Sequence, residues 1–237
     1  MIESAPAPAQ EQLEAVGASY DVAKMLEVRK MTRDAIHEIA AAVEPGMVEE
    51  DAVEMAKKIL ASKSMLRGWH DVYVRFGPNT LKTFGAPSDP GVVLGETDIF
   101  FLDIGPVFAQ WEGDGGETFT VGSDAMMEKC GADAEALFHT VRHKWLEEKL
   151  TGKALYDFAI AEAQKLGWEL NMDLSGHRLS DFPHAAIYDG PMADVNFTPS
   201  PLLWVLEIHI RHPEGGYGAF YEDMLLDDSY FGVASGA

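Results

Sequence analysis

Five ionisable residues lie inside stretches whose composition is typical of β-strands. The stretches are rich in β-branched, aromatic and aliphatic residues, and they contain Asp103, Asp114, His177, Glu207 and Glu222. A charged side chain inside such a segment is costly to bury unless another group pairs with it. Few basic residues stand nearby, so the acids need other cations. Four carboxylates and one imidazole from separate segments match the ligand set of a site for two divalent metal ions.

Three of these residues also have an ordinary structural interpretation. Asp103 could cap a turn, Asp114 could lie in a solvated glycine-rich loop, and Glu207 could pair with Arg211. The segment between the two aspartates contains the bend signal Gly105-Pro106, and a bent hairpin of this length would bring both carboxylates to one point. Either aspartate alone favours the ordinary interpretation, whereas the buried glutamates shift the balance towards a metal site.

The composition is that of an acidic globular protein. Among 237 residues, 39 are acidic and 18 are basic, which gives a formal net charge of −21 and disfavours binding to nucleic acid or anionic lipid. No apolar run approaches the roughly 20 residues that a membrane span requires, and the N-terminus lacks the features of a signal peptide. The single cysteine, Cys130, excludes an internal disulfide. We therefore expect a cytoplasmic protein without nucleic-acid or membrane partners.

Hydrophobic periodicity predicts two pairs of helices, each followed by strands. Helical spacing of apolar residues covers residues 19–43, 48–62 and 124–167, the last with a break at Thr151-Gly152. The segments VYVRF, DIFFLDI, ETFTV and PLLWVLEIHI have the composition of strands. This order predicts two αβ halves around one curved antiparallel sheet, with a generic α+β domain as the alternative. We expect residues 1–18 to form a flexible tail and residues 19–237 a single catalytic domain.

Several motifs together resemble those of the pita-bread metallopeptidases, which include methionine aminopeptidases, Xaa-Pro aminopeptidases, prolidases and creatinase. DIFFLDIGPVFAQWEGDGGETFTVG is similar to the family's paired-aspartate segment, and SGHRLSDFPH resembles its G-H-G-x-G…H segment. VLEIH stands where the family has I/V-E-P, and FYED stands where it has the final ligand glutamate. The resemblance covers roughly residues 23–226. It implies an α+β pita-bread fold, in which helices cover a curved antiparallel sheet with pseudo-twofold halves.

The resemblance also implies a role for each ligand. Asp103 would chelate one metal ion, Asp114 and Glu222 would bridge two ions, and His177 and Glu207 would complete the second. Such a carboxylate-rich set with one imidazole suits manganese, cobalt, iron or zinc. A hydroxide bridging the ions would be the nucleophile.

Two residues receive catalytic roles from the same resemblance. Glu207 would transfer a proton in addition to binding metal, and His184 would donate a hydrogen bond to the developing oxyanion. The G-P-N…P-S-D segment and the G-H…P-H spacing are more similar to the Xaa-Pro branch than to the methionine branch. We therefore expect a metallohydrolase similar to Xaa-Pro aminopeptidases and dipeptidases, with a homodimer also considered. The alternatives are a hydrolase of a small amide-bearing metabolite and a catalytically silent binding relative.

One departure from the family pattern concerns the substrate. GPNTLKTFGAPSD resembles G-x-N-x-x-x-P-H-x-x-P-S-D, but Phe84 occupies the position of a histidine that contacts substrate in the family. His209 and Arg211 alternate with Glu207 along one predicted strand, so the three side chains share a face. His209 could then replace the missing imidazole and Arg211 could hold a substrate carboxylate, or both could merely satisfy buried acids. His70 is a further candidate at the border of the pocket.

Overall fold

Helices and strands follow one another in two successive sets along the part of the chain that this computed structural model describes, residues 9–65 and 68–230. The α-helices are α1 (Gln10–Leu13), α2 (Val22–Ala42), α3 (Glu49–Ser62), α4 (Ala125–Glu148) and α5 (Gly152–Leu166). The strands are β1 (Tyr73–Phe76), β2 (Asp98–Ile104), β3 (Val107–Phe108), β4 (Trp111–Glu112), β5 (Gly115–Val121), β6 (Glu169–Leu170), β7 (His177–Arg178), β8 (Trp204–Arg211) and β9 (Gly218–Met224). In this part of the chain, no helix combines the length and the apolarity that a membrane crossing requires.

One antiparallel sheet forms the centre of the fold. Its strand order is β1-β2-β5-β9-β8-β6, and β7 pairs with the start of β8. The register places Asp103 opposite Gly116, Gly116 opposite Glu222, and Glu222 opposite Glu207. Directly paired residues of antiparallel strands project from the same face of a sheet. The register therefore brings three acidic side chains from three strands to one face.

Hydrophobic side chains between the helices and the other face of the sheet form two clusters. The first joins α2 and α3 to β1 and β2 and includes Ile36 and Leu102. The second joins α4 and α5 to β8 and β9 and includes Trp145 and Trp204. Each cluster thus unites one helix pair with the strands that follow it in the chain. This arrangement confirms the predicted α+β class with its two αβ halves.

Side-chain caps explain where the long helices begin. Asp21, Asp124 and Thr151 accept hydrogen bonds from backbone N–H groups in the first turns of α2, α4 and α5. The predicted break at Thr151-Gly152 is therefore the start of a new helix. Helix α5 ends at Leu166, and the next residue, Gly167, has a φ of 88°, the left-handed conformation that favours glycine after a helix.

The segment before α2 is the one predicted to form a flexible tail. Residues 9–18 contain α1, and Glu14 accepts a hydrogen bond from Trp204 Nε1 at 2.7 Å. The backbone N–H of Gly17 donates to Asp181 at 2.8 Å. Residues 9–18 thus contact polar side chains that are distant in sequence, whereas the flexibility predicted for this segment stays a prediction. The earlier part of the predicted tail lies outside the described residues.

Candidate metal centre

The five residues predicted as metal ligands surround one cavity of about 310 Å³. They come from four strands and one loop: Asp103 from β2, Asp114 from the residue preceding β5, His177 from β7, Glu207 from β8 and Glu222 from β9. The lining also includes Trp69, His70, Phe84 and His184. All four carboxylates are buried. The pleat of the sheet and the β8–β9 register account for the meeting of residues that are far apart in sequence.

Asp114 lies at the centre of the cluster. Its Oδ1 is 3.4 Å from His70 Nε2, which is also 3.4 Å from Asp103 Oδ1. Its Oδ2 is 2.8 Å from His177 Nε2. Donor atoms of His70, Asp103 and Asp114 lie within 4.8 Å of one another, and the same holds for Asp114, His177 and Glu222. Two groups of potential ligands therefore share one aspartate.

Two buried carboxylate oxygens of this cluster lack hydrogen-bond donors. Among the described residues, Asp114 Oδ2 and Glu222 Oε1 have no hydrogen-bond partner, and Asp114 Oδ2 has an ion-pair contact with His177 Nε2 at 2.8 Å. Such an unpaired buried group costs about 1–3 kcal/mol, and more when it is charged. The described residues that line the cavity include no lysine or arginine. Carboxylate oxygens and imidazole nitrogens are ligands for divalent cations, so the donor set fits bound metal.

Burial and mutual repulsion affect the acids unequally. Burial is the main cause that raises the pKa of Asp103 to about 6 and the pKa of Glu207 to about 7. Burial and the neighbouring acids raise the pKa of Glu222 well above its ordinary value. Burial acts in the same direction on Asp114, but contact with two imidazoles outweighs it and lowers the pKa to about 2. The cluster thus concentrates negative charge on Asp114, between the two groups of ligands.

His184 lies at the wall of the cavity and is held by Glu112, a residue that the sequence did not single out as functional. Glu112 Oε1 accepts the backbone N–H of His184 at 3.1 Å, and Oε2 lies 3.1 Å from the ring nitrogen Nδ1. The available signal was an acid two residues before Asp114 in a strand-like segment. That signal does not identify the partner, because His184 is distant in sequence.

Trp69 is a second site residue that the sequence did not single out as functional. Its ring centroid lies 4.3 Å from that of His70, 4.9 Å from that of His177 and 4.8 Å from that of His184, each with tilted or edge-to-face geometry. Its Nε1 donates a hydrogen bond to the carbonyl of Gly113 at 3.0 Å. One indole thus packs against three imidazoles and forms a wall of the cavity.

Phe84 lies at the rim of the cavity, where its ring contacts His70. The residue is 46% exposed, and its ring centroid is 5.5 Å from that of His70. Buried Arg75 positions this loop, because its Nη2 donates to the carbonyls of Thr83 and Ala86 at 3.2 and 2.8 Å. An apolar ring therefore stands at the rim, with an imidazole directly behind it.

His209 does not line the cavity, which corrects the idea that it replaces the imidazole missing at Phe84. Its Nδ1 accepts from Asn171 Nδ2 at 2.9 Å, and its Nε2 donates to the carbonyl of Thr80 at 2.8 Å. Burial lowers the pKa of His209 to about 3, so the ring is neutral. The residue does share the face of Glu207, but it lies further along β8, where both ring nitrogens are already bonded.

Arg211 is placed still further from the ligands. It ends β8, where it pairs with Gly218 of β9 and Glu169 of β6. It is not among the residues that line the cavity. The predicted contact between Arg211 and a substrate carboxylate is therefore corrected as well, because strand periodicity selects a face of the sheet and not a position along it.

Buried carboxylates and imidazoles at the centre of an antiparallel sheet, covered by two helix pairs, form the arrangement of the pita-bread fold. The sequence profile of metallopeptidase family M24 matches residues 23–226. The chain belongs to this family, whose members generally bind divalent metal ions.

Solved structures with the same fold include peptidases of several specificities. The prolidase from Pyrococcus horikoshii OT3 is 16% identical, with 91% of this chain and 62% of that chain covered and a TM-score of 0.72. The X-Pro aminopeptidase from Thermotoga maritima MSB8 is 17% identical, with 92% and 61% covered and a TM-score of 0.71. The methionine aminopeptidase from Thermotoga maritima is 17% identical, with 90% and 96% covered and a TM-score of 0.69.

The chain covers different shares of the lengths of these relatives. The chain spans about three fifths of the prolidase and of the X-Pro aminopeptidase, but nearly all of the methionine aminopeptidase. No curated protein sequence matches the chain significantly. At these identities the structural similarity establishes the fold.

Proposed function

We propose that this protein hydrolyses a peptide or amide bond with the help of two divalent metal ions. The observation that carries the proposal is the convergence of all five ligand types on one cavity in which two buried carboxylate oxygens lack other partners. Asp103 would bind one ion, Asp114 and Glu222 both ions, and His177 and Glu207 the other. The ions would be manganese, cobalt, iron or zinc, and when bound they supply an activated water and polarise the scissile carbonyl.

The protein's own groups are arranged to support this reaction. The backbone N–H of Gly176 donates to Glu207 Oε2 at 2.7 Å, which orients the carboxylate that we propose as the proton-transfer group. Glu112 fixes the ring of His184, which lines the same cavity. We propose that His184 stabilises the negative charge that develops on the substrate oxygen.

The cavity favours a substrate that presents a positive or neutral end. Besides the ligands, its charged lining consists of Asp173 and Asp189, together with imidazoles. Phe84 and Met172, which are 46% and 37% exposed, add apolar surface. A free α-amino group is attracted to such an acidic cavity, whereas a free carboxylate is repelled. This favours an aminopeptidase over a dipeptidase that recognises the carboxylate of its substrate, and we propose the Xaa-Pro type because the G-P-N…P-S-D segment resembles that branch.

A second candidate is a hydrolase of a small amide-bearing metabolite, which is favoured by Phe84 in place of the family's substrate-contacting histidine. A substrate panel distinguishes the two. Protein loaded separately with Mn²⁺, Co²⁺, Fe²⁺ or Zn²⁺ would be tested with Xaa-Pro peptides, methionyl peptides and small N-acyl amides. Cleavage of Xaa-Pro peptides with a free amine, but not of their N-acetylated forms, supports the aminopeptidase. Cleavage of amides alone supports the second candidate.

Elemental analysis tests whether the protein binds two metal ions, on which the proposal depends. Protein purified without chelator and then dialysed against Mn²⁺ or Co²⁺ should retain about two ions per chain, as expected for a dinuclear site. Less than one ion per chain, with no hydrolysis after metal addition, would identify a silent binding relative instead. A cytoplasmic location and a homodimer stay predictions, to be checked by cell fractionation and light scattering.

A further inference from the structure

We propose that His70 is a sixth protein ligand of the metal centre and binds through Nε2 the ion that Asp103 and Asp114 share. The inference rests on the proposed dinuclear centre and adds a ligand that the resembling motifs do not contain. It gives each ion one imidazole, His70 on one side of Asp114 and His177 on the other.

The distances around His70 Nε2 match a bridging cation better than a direct ion pair. Nε2 is 3.4 Å from Asp103 Oδ1 and 3.4 Å from Asp114 Oδ1, and the contact with Asp114 is a long hydrogen bond. A charge-assisted N–H···O hydrogen bond is about 2.7–2.9 Å long. Two ligands that each lie about 2.1 Å from a tetrahedral metal ion are separated from one another by about 3.4 Å. The space between the three atoms is therefore suited to an ion.

The other ring nitrogen of His70 makes the hydrogen bond that is typical of a metal ligand. Nδ1 lies 2.6 Å from the carbonyl oxygen of Asp71, which can only accept, so Nδ1 carries the proton. His177 shows the same pattern, with Nδ1 at 2.7 Å from the carbonyl oxygen of Arg178. Metal-binding histidines commonly donate their second N–H to a backbone carbonyl, which directs the remaining nitrogen at the metal. Both imidazoles are thus held by the same kind of hydrogen bond, with Nε2 of each in contact with Asp114.

The packing around His70 holds its ring in this orientation. The side chain is only 4% exposed. The ring of Trp69 lies against one side at 4.3 Å between centroids, and Phe84 contacts it at 5.5 Å. Gly105 leaves room for the ring, because a Cβ at that position would lie 2.2 Å from His70 Cδ2. A ring confined by three neighbours loses little freedom when it binds an ion, which favours binding.

The competing explanation is that His70 is a doubly protonated counter-charge for the aspartates and forms no bond to metal. X-ray absorption of the full-length wild-type protein loaded with Co²⁺ separates the two explanations by counting imidazoles. Two imidazoles for two ions support the proposal. One imidazole for two ions overturns it and leaves the proposed function intact. A protein that binds no ion overturns both.

Variants provide an independent test with the metal alone. We expect His70→Ala to weaken binding of one of the two Co²⁺ or Mn²⁺ ions at least about tenfold in calorimetric titration, and to change the visible absorption of bound Co²⁺. His70→Gln serves as the second variant, since it preserves more side-chain volume. His139→Ala is the matched control, because that imidazole is 51% exposed on α4, and it should leave both measurements unchanged. Unchanged affinities and spectrum in both His70 variants, with two ions bound, would overturn the assignment.

Discussion

The carboxylate of Glu112 binds His184 at two points, the backbone N–H at 3.1 Å and the ring nitrogen Nδ1 at 3.1 Å. The same carboxylate accepts the backbone N–H of Ser180 at 3.0 Å, so its own position is fixed. Because a carboxylate only accepts hydrogen bonds, Nδ1 carries a proton, and Nε2 is the ring atom available to substrate. Glu112 therefore positions His184, the residue that we propose contacts the reacting atoms.

Glu112→Gln should lower kcat by about 10- to 100-fold, the usual cost of losing a partner that orients an active-site imidazole. Metal content and KM should change little, since Glu112 contacts neither the ligands nor the cavity. The measurement is steady-state kinetics on the substrate identified by the panel, with calorimetry of metal binding. Glu128→Gln, at an exposed position on α4, is the matched control. Equal kcat values in wild type and Glu112→Gln would contradict the role.

Removal of metal should destabilise the protein. With free metal at about 100 times its dissociation constant, binding adds about 2.7 kcal/mol, which corresponds to a rise in Tm of about 5–10 °C for a chain of this size. A chelator should therefore lower the Tm of the metal-loaded protein by this amount. Glu222→Gln should show a smaller response, because it loses a bridging ligand. Identical responses of wild type and variant would show that Glu222 is not a ligand.

Phe84→Ala should affect substrate binding more than stability. The side chain is 46% exposed at the rim of the cavity, so we expect the free energy of unfolding to fall by less than about 1 kcal/mol. For a substrate with an apolar residue at this position, KM should rise about tenfold. The reason is that the substrate loses apolar contacts with the Phe84 ring, and even one methylene-sized contact is worth about tenfold. Val93→Ala, 52% exposed and outside the cavity lining, controls for a general surface effect. An unchanged KM would place the substrate elsewhere.

His209→Asn should reduce stability without affecting KM. The shorter side chain cannot reach both Asn171 and the carbonyl of Thr80, and an unsatisfied buried partner costs about 1–3 kcal/mol. Chemical denaturation measures the loss, and His139→Asn at a half-exposed position is the control. A raised KM with unchanged stability would instead restore the role in substrate binding that the sequence suggested.

Cys130 should resist alkylation in the folded protein. Burial raises the pKa of its thiol from 9.0 to about 12, so the reactive thiolate is scarce below that pH. The folded state then binds a proton that the unfolded state releases, and this contribution to stability is present below pH 9 and is lost as the pH rises towards 12. The rate of Cys130 alkylation at pH 9, measured with and without denaturant in quenched time points, compares the folded and unfolded states. Fast labelling of the folded chain at pH 9 would contradict the buried environment.

The acids of the cavity could be predicted from sequence as candidate ligands because their signal is local. Glu207 and Glu222 are acids inside apolar strands, and such residues need a compensating partner wherever the strands end up. The structure then makes Glu207 and Glu222 direct cross-strand neighbours. The helices and most strands were predictable for the same reason, since hydrophobic period and capping residues act over a few positions.

Contacts that join distant segments could not be predicted in this way. Strand alternation correctly placed His209 on the face of Glu207, but it contains no information on where along the sheet the cavity ends. Likewise, nothing near Glu14 in sequence indicates that its carboxylate meets Trp204. The pairing of Glu112 with His184 has the same character, because each partner taken alone resembles an ordinary loop residue.

Gly116 lies in register with Asp103 on one side and with Glu222 on the other, so the boundary between the two halves of the chain passes through the ligand cluster. The first half contributes two aspartates, and the second contributes the imidazole of His177 and both glutamates. Neither half expressed as a separate fragment would contain all five proposed ligands. A cation bound there would cross-link the two halves at the junction. Separation of β5 from β9 and release of the metal would then occur together.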